Sequence, residues 1–298
     1  MKRNARRRVP WTALVPLLTV LAGACAGLAT GRGADGIDHP TDPGRLVLRV
    51  EQGGGFVPVE YALRDVPIFS LYGDGLIVTT GPQIAIYPGP ALPNLVATRI
   101  SDAGIQAILR AARDAGLLGR DRHYDNPGIA DAATTTFAVV AEGRRHVVSA
   151  YALGVDEPPG LIPEDEREAR RKLSEFQARL SDLRRWLPEG SVGEERPFEF
   201  DELRIFVRQG AQAPQDEGLE QPEMKWPLQD GLAGFGLEVL DLEFRCGSME
   251  GASLETLLPL VQNANELTPW RDGGELYSLI FRPLLPDESG CEGIPSPY

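Results

Sequence analysis

The sequence predicts an α+β protein: an antiparallel sheet with a covering helix, a long amphipathic connecting helix, and a second mixed α+β domain at the C-terminal end. Three observations predict it. Two pairs of apolar or β-branched runs flank short glycine turns, which is the signature of β-hairpins. One stretch, 164–187, spaces its leucines and phenylalanine at helical intervals. Beyond that stretch, strand-like runs and a short helix recur, as in an α+β layer arrangement.

The elements follow in order. Arg45-Leu46-Val47-Leu48-Arg49-Val50 alternates as a short strand, and Gly53-Gly54-Gly55 reads as a turn. It is not a phosphate loop, because no Lys-Ser/Thr follows and no helix starts there. Ile68–Tyr72 and Leu76–Thr80 flank Gly73-Asp74-Gly75, whose Asp-Gly step tolerates the positive φ of a tight turn. Ile84–Tyr87 and Leu95–Arg99 are further strand candidates, separated by prolines that forbid a continuous ladder. A helix then starts at Ser101 as N-cap, with Asp102 in its positive first turn and Ile100 and Ile105 placed as a hydrophobic staple. Ile105, Ile108, Leu109 and Ala112 form its apolar face. A second hairpin pairs Thr135–Val140 with His146–Tyr151. These elements make residues 44–157 an N-terminal α+β domain.

Prolines 158, 159 and 163 interrupt the chain before the long helix, expected from Glu164 to Leu187 with Leu173, Phe176, Leu180, Leu183 and Leu187 in one stripe. Two heptads are too few for a coiled coil, so the stripe is expected to pack on the protein itself. Residues 158–298 then comprise this helix and a C-terminal α+β domain. Its expected strands are Leu203–Val207, Leu240–Phe244 and Tyr277–Phe281, with a helix capped by Ser253 and a polar loop over 209–227.

The chain begins with a different composition. Lys2, Arg3, Arg6, Arg7 and Arg8 precede an uncharged, mostly apolar run from Val9 to Ala24. That layout reads as a signal peptide over 1–24. Residues 25–43, rich in Gly, Ala, Asp and Pro, read as a flexible tether. Ala22-Gly23-Ala24 fits ordinary signal peptidase, while the same residues before Cys25 resemble a bacterial lipobox, which implies a lipid attached to the Cys25 thiol. The fit departs from the usual pattern, since Leu21 lies four residues before the cysteine. The cysteine count favours the lipid: of three cysteines, Cys246 and Cys291 are expected to pair as a disulfide in an oxidising compartment, leaving Cys25 over. The expected setting is the cell envelope, exported, with the membrane met only through the N-terminal lipid, or simple secretion.

The chain carries 43 acidic and 30 basic residues, a formal −13. Removing the five basic residues of the signal leaves 25 basic residues, a formal −18. Such a body repels phosphate backbones and anionic headgroups, so nucleic acid is excluded as a partner.

The search for chemistry returns few candidates. His39, His123 and His146 are far apart, and neither H-E-x-x-H nor Cys-x-x-Cys occurs. No serine has glycine at both −2 and +2, so a nucleophile elbow is absent. A Ser-His-Asp arrangement through His123 or His146 needs no local spacing and stays open. Asp121, Asp125, Asn126 and Asp131 share one loop and offer oxygens of the kind calcium takes, but without EF-hand spacing; turn chemistry accounts for them. Glu238 with Asp241 or Glu243 is a carboxylate pair that an acidic surface produces by chance. Trp226, Trp270 and Tyr277 fit a core better than an aromatic platform.

Phe69-Ser70-Leu71-Tyr72-Gly73-Asp74-Gly75, followed by the stapled helix, resembles exported bacterial domains of unknown function over roughly residues 66–155. The resemblance implies a shared fold and an envelope setting, and brings no catalytic residue. The expectation is therefore a non-catalytic module for an envelope partner or small ligand, with no cofactor and no metal. The alternative is an envelope hydrolase with a non-local site.

Overall fold

The computed structural model describes residues 36–155, 160–210, 219, 221–239 and 242–294. The expected signal peptide, Cys25 and Asp241 lie outside the described residues. The described chain from Ile37 onward is one compact unit of mixed α+β type, with two mostly antiparallel sheets and four α-helices. No helix among the described residues is long and apolar enough to cross a membrane.

The first sheet is built from β1 (Leu46–Gly53), β2 (Phe69–Tyr72), β3 (Leu76–Thr80), β4 (Leu95–Arg99), β5 (Arg122–Tyr124), β6 (Thr134–Ala141), β7 (Arg144–Tyr151) and β8 (Arg196–Pro197). Their order is β5-β7-β6-β1-β2-β3-β4-β8. Both expected hairpins form: β2 pairs with β3, and β6 with β7 across Glu142-Gly143. Gly75 closes the first at φ +79°, and a Cβ there would lie 2.2 Å from the Ile100 carbonyl oxygen. Turn and strand end are therefore packed so closely that only glycine fits. Helix α1 is Val59–Arg64, α2 is Asp102–Asp114 and α3 is Glu164–Leu180. Ser101 caps α2 by accepting from Gly104 N–H at 3.3 Å. Ile105, Ile108 and Leu109 of α2 share one core with Leu173, Phe176 and Leu180 of α3 and with Leu48, Val50, Phe137 and Val139 of the sheet.

The second sheet comprises β9 (Glu202–Gln209), β10 (Met224–Lys225), β11 (Leu237–Glu238), β12 (Arg245–Glu250), β13 (Trp270–Asp272) and β14 (Glu275–Pro283), in the order β10-β13-β14-β9-β12-β11. Helix α4 (Gly251–Asn263) packs Leu254, Leu257 and Val261 against Leu203, Ile205 and Phe281. Trp226, Trp270 and Tyr277 are buried in that core, and Trp226 and Trp270 meet edge to face at 6.1 Å.

Several boundaries differ from expectation. Ile37 and His39 are buried, and the Gln106 amide clamps Ile37 through both its N–H and its carbonyl at 2.9 Å. Packing thus starts inside the segment expected as tether, on a single isoleucine that shows no periodicity. The first core takes in residues through Leu187, and β8 adds to β4. Helix α3 ends at Leu180 and one 3-10 turn follows over Leu183–Arg185, short of the expected Leu187. Ile84–Tyr87 is an exposed loop, not a strand. Of the run ending at Phe244, Leu240 and Asp241 lie outside the described residues, and Leu242–Phe244 is not a strand: Val239 N–H donates to Phe244 O at 3.0 Å, between β11 and β12. Helix α4 begins at Gly251 with Glu250 as its N-cap, so Ser253 lies in its first turn.

Cys246 and Cys291 form a disulfide with Cα atoms 6.0 Å apart. Cys246 packs with Phe244, Phe206 and Leu63, which ties the C-terminal segment to the back of the second sheet.

Candidate functional site

Strand alternation decides which side chains line the space between the sheets. In β1, Leu48 and Val50 enter the first core, so Arg49 and Glu51 point the other way. In β6, Phe137 and Val139 enter the same core, which turns Thr134 and Thr136 to the Arg49 side. In the second sheet, Leu203, Ile205 and Phe281 face α4, so Arg204 of β9 and Arg282 of β14 face back. These two arginines sit directly opposite each other in the ladder. Together with Asp65 after α1 and the C-terminal turn Asp287–Ser289, they line a cleft of about 720 Å³.

The C-terminal turn bridges the sheets. Leu285 packs with Tyr72, Val78 and Leu95 on the first sheet. Arg282 holds Glu288 through both guanidinium ends at 2.7 and 2.9 Å, and its Nε donates to the Asp65 carbonyl at 2.7 Å. Arg49 donates to Asp287 Oδ1 at 2.7 Å and to Ser70 Oγ at 3.3 Å, and Tyr72 donates to the same carboxylate oxygen at 2.9 Å. Arg204 donates Nε to Gly290 O at 2.6 Å and Nη2 to Glu292 O at 2.7 Å.

Burial and charge act against each other here. Burial raises the Glu288 carboxyl, but the Arg282 bonds and charge, the Leu285 N–H and Arg49 outweigh it and hold Glu288 below the usual carboxylate range. Asp65 goes the other way: burial pushes it up against the Val66 N–H and the Arg282 charge, and neighbouring Glu51 adds to the rise. Burial also pushes the Tyr72 phenol well up, reinforced by Asp287. Burial opposes the charge on Arg49, and Asp287, Tyr72 and Glu288 together outweigh it. In Arg204, burial followed by the Arg282 charge makes the guanidinium less able to hold its proton.

The chain matches no protein-family model, no curated protein and no solved structure. Its site must therefore be read from its own geometry.

The residues singled out in the sequence are scattered. His123 Nδ1 lies 2.8 Å from Ser149 Oγ, where β5 pairs with β7 on an exposed sheet edge. His146 is buried, with Nδ1 3.0 Å from Gly119 O and 3.1 Å from Arg144 Nε. His39 Nδ1 lies 2.7 Å from Pro40 O. None of the three lines the cleft, or either of two further cavities, one beside Tyr61 and the other beside Glu238. Asp121 accepts from Val147 N–H at 3.0 Å, and Asp125 from Asn126 N–H at 2.8 Å. Both act as loop braces. Among the described residues no three His, Cys, Asp or Glu side chains are grouped to hold a metal. Glu238 and Glu243 line a cavity of about 640 Å³ with Arg245 and Tyr277, and Glu238 pairs across the ladder with Arg245.

The cleft residues were not singled out in the sequence. The one available signal was arginine at inward-alternating strand positions: Arg49 between Leu48 and Val50, Arg204 between Leu203 and Ile205, and Arg282 beside Phe281.

Proposed function

We propose that the protein is an exported, non-catalytic binding module of the cell envelope, and that the cleft between its sheets holds a small polar ligand. One observation carries this reading. A cleft of about 720 Å³ is lined by Arg49, Arg204, Arg282, Glu51, Asp65, Glu288 and two threonines, with neither histidine nor cysteine. That volume suits a small molecule. The lining supplies hydrogen bonds and charge, without the histidine or cysteine that a Ser-His or Cys-His pair needs.

The setting follows from the sequence and fits the disulfide, which belongs in an oxidising compartment. In this reading the signal peptide over 1–24 is removed and lipid on Cys25 anchors the body. Helix α2 covers the first sheet, and the amphipathic α3 sets its apolar stripe into the same core before the chain goes on to the second sheet. The resemblance of roughly residues 66–155 to exported bacterial domains of unknown function points the same way. A hydrolase needs a nucleophile, a base and a carboxylate converging on a cavity. The His123–Ser149 pair instead lies on an exposed edge.

Thermal-shift titration tests the reading, using a library of neutral, cationic and anionic compounds on the wild type and on Thr136→Trp, which sets an indole into the cleft. At least one compound is expected to raise Tm saturably in the wild type and not in the variant. A library with no such compound, or ester turnover lost on His123→Ala and untouched by Thr136→Trp, overturns it. Mass spectrometry of the native N-terminus reads the anchor separately: a diacylglyceryl group on Cys25 is expected, and an unmodified N-terminus there removes the anchor.

A further inference from the structure

A guanidinium stays charged at any physiological pH, and a charge taken out of water is normally met by an opposite charge. Two of the three cleft arginines obey this rule. Arg49 meets Asp287, and Arg282 meets Glu288 in a bidentate pair. Arg204 does not. It is 2% exposed, yet its hydrogen bonds go to two neutral carbonyls, Gly290 O and Glu292 O. It makes no ion pair among the described residues, and its Nη1 makes no hydrogen bond among them. Its direct neighbour across the ladder is Arg282, a second cation, and like charges at such a position repel. Glu288 and Glu202 soften this from a distance, but Glu288 is engaged by Arg282 and Glu202 Oε1 by Gly290 N–H at 3.0 Å. The wall of the cleft thus carries one positive charge with no counter-ion paired to it, and its Nη1 edge is open to the cleft.

We propose that this counter-ion is the carboxylate of a small amino-carboxylate ligand, a free amino acid or peptide C-terminus, seated on the Nη1 edge of Arg204. The inference rests on the cleft being the ligand site. Charge selects a carboxylate over a polyanion. Glu51, Asp65, Asp287, Glu288 and Glu292 line the same cleft as the three arginines, on a chain of formal charge −13. A phosphate dianion or longer polyanion meets net repulsion there, whereas one planar charge is satisfied by one guanidinium edge. The remainder of the ligand meets Glu51 and Asp65, close enough to each other that Glu51 helps raise Asp65. A pair of adjacent carboxylates gains from an ammonium group. Thr134 and Thr136 add hydroxyls that donate or accept.

Calorimetry with a panel of unmodified dipeptides, glycylglycine included, tests the assignment alongside their C-terminal amides, their N-acetyl forms and inorganic phosphate. Unmodified dipeptides are expected to bind. Amidation, which deletes the carboxylate, should weaken binding by about 10- to 100-fold, the value of charge-assisted hydrogen bonds. Arg204→Gln should give a similar loss. Should that variant not fold, Arg204→Lys keeps the charge but loses the Nη1 edge and is still expected to weaken binding; the amide comparison needs no variant at all. Amides that bind as tightly as acids, phosphate that binds better than either, or unchanged affinity in Arg204→Lys overturns the assignment. Neutral compounds that bind in a Thr136→Trp-sensitive way while dipeptides do not would remove the carboxylate and leave the cleft reading intact. No binding from any class removes both.

Discussion

Replacing Cys246 and Cys291 together by serine opens a loop whose ends are 45 residues apart in sequence. In the chain-entropy model, freeing a loop of this size restores unfolded-state entropy worth about 4 kcal/mol at 25 °C. Residual structure in the unfolded chain lowers the measured figure, so about 2–4 kcal/mol is the expected loss. For a chain of this length that corresponds to a fall in Tm of roughly 4–8 °C. The effect should also be local. Leu285 remains buried beside Tyr72, and Arg282 still grips Glu288, so the segment stays docked through Glu288. Beyond it, Gly290 and Glu292 flank Cys291 and supply the two carbonyls that hold Arg204. Hydrogen exchange should therefore rise over residues 289–294 and change little over 284–288. Denaturant unfolding of the oxidised wild type and the double variant, read with exchange mass spectrometry, measures both effects. A Tm within 1 °C of wild type, or two free thiols titrating in protein isolated under oxidising conditions, refutes the account of the bridge. Lost stability with exchange spread evenly over the chain refutes its local part.

Two further outcomes follow from single residues. Gly75→Ala puts a Cβ against the Ile100 carbonyl at a positive φ, and should cost at least about 2 kcal/mol in equilibrium unfolding. A loss under 0.5 kcal/mol, within the scatter of ordinary surface changes, shows that the turn can move. Glu288 is held below its unfolded value of about 4.3, so its contribution to stability is complete above that pH. It is lost as pH falls from about 4.3 through the lower folded value. Glu288→Gln should thus be less stable than wild type at pH 7, with the gap closing as pH drops below about 4. A gap that widens on acidification contradicts the sign.

Local chemistry was legible in the sequence, and long-range placement was not. The hairpin at Gly73-Asp74-Gly75, the Ser101 cap and the stripe of Leu173, Phe176 and Leu180 each depend on neighbours within a few residues, so propensity and spacing fixed them. The alternation of Leu242 and Phe244 misled because both reach one satellite core without forming a strand. Helix α1 has six residues, too few to show a helical period, and is fixed by Leu63 packing under Phe206. Strands β5 and β8 have three and two residues, and exist because longer strands offer them an edge. Ile37 carried no signal at all; its burial comes from the first core it joins and from Gln106, 69 residues away, which binds its backbone.

The cleft was unreadable for a more particular reason. A polar residue alternating with core residues ordinarily marks the solvent face of a sheet. Arg49, Arg204 and Arg282 all show that pattern, and each would read as a wet side chain on a sheet covered on one side. Here the polar backs of both sheets are bridged by the C-terminal turn, so the same parity puts the arginines beneath a roof. The turn carries the acids that neutralise two of them, since Asp287 answers Arg49 and Glu288 answers Arg282. It offers Arg204 only backbone carbonyls. Three arginines brought together by one segment, with two answered, leave a charge deficit at a defined atom, Nη1 of Arg204. The deficit belongs to the tertiary arrangement, because Arg282 alone is local to the turn, while Arg49 and Arg204 lie 238 and 86 residues from their partners in it.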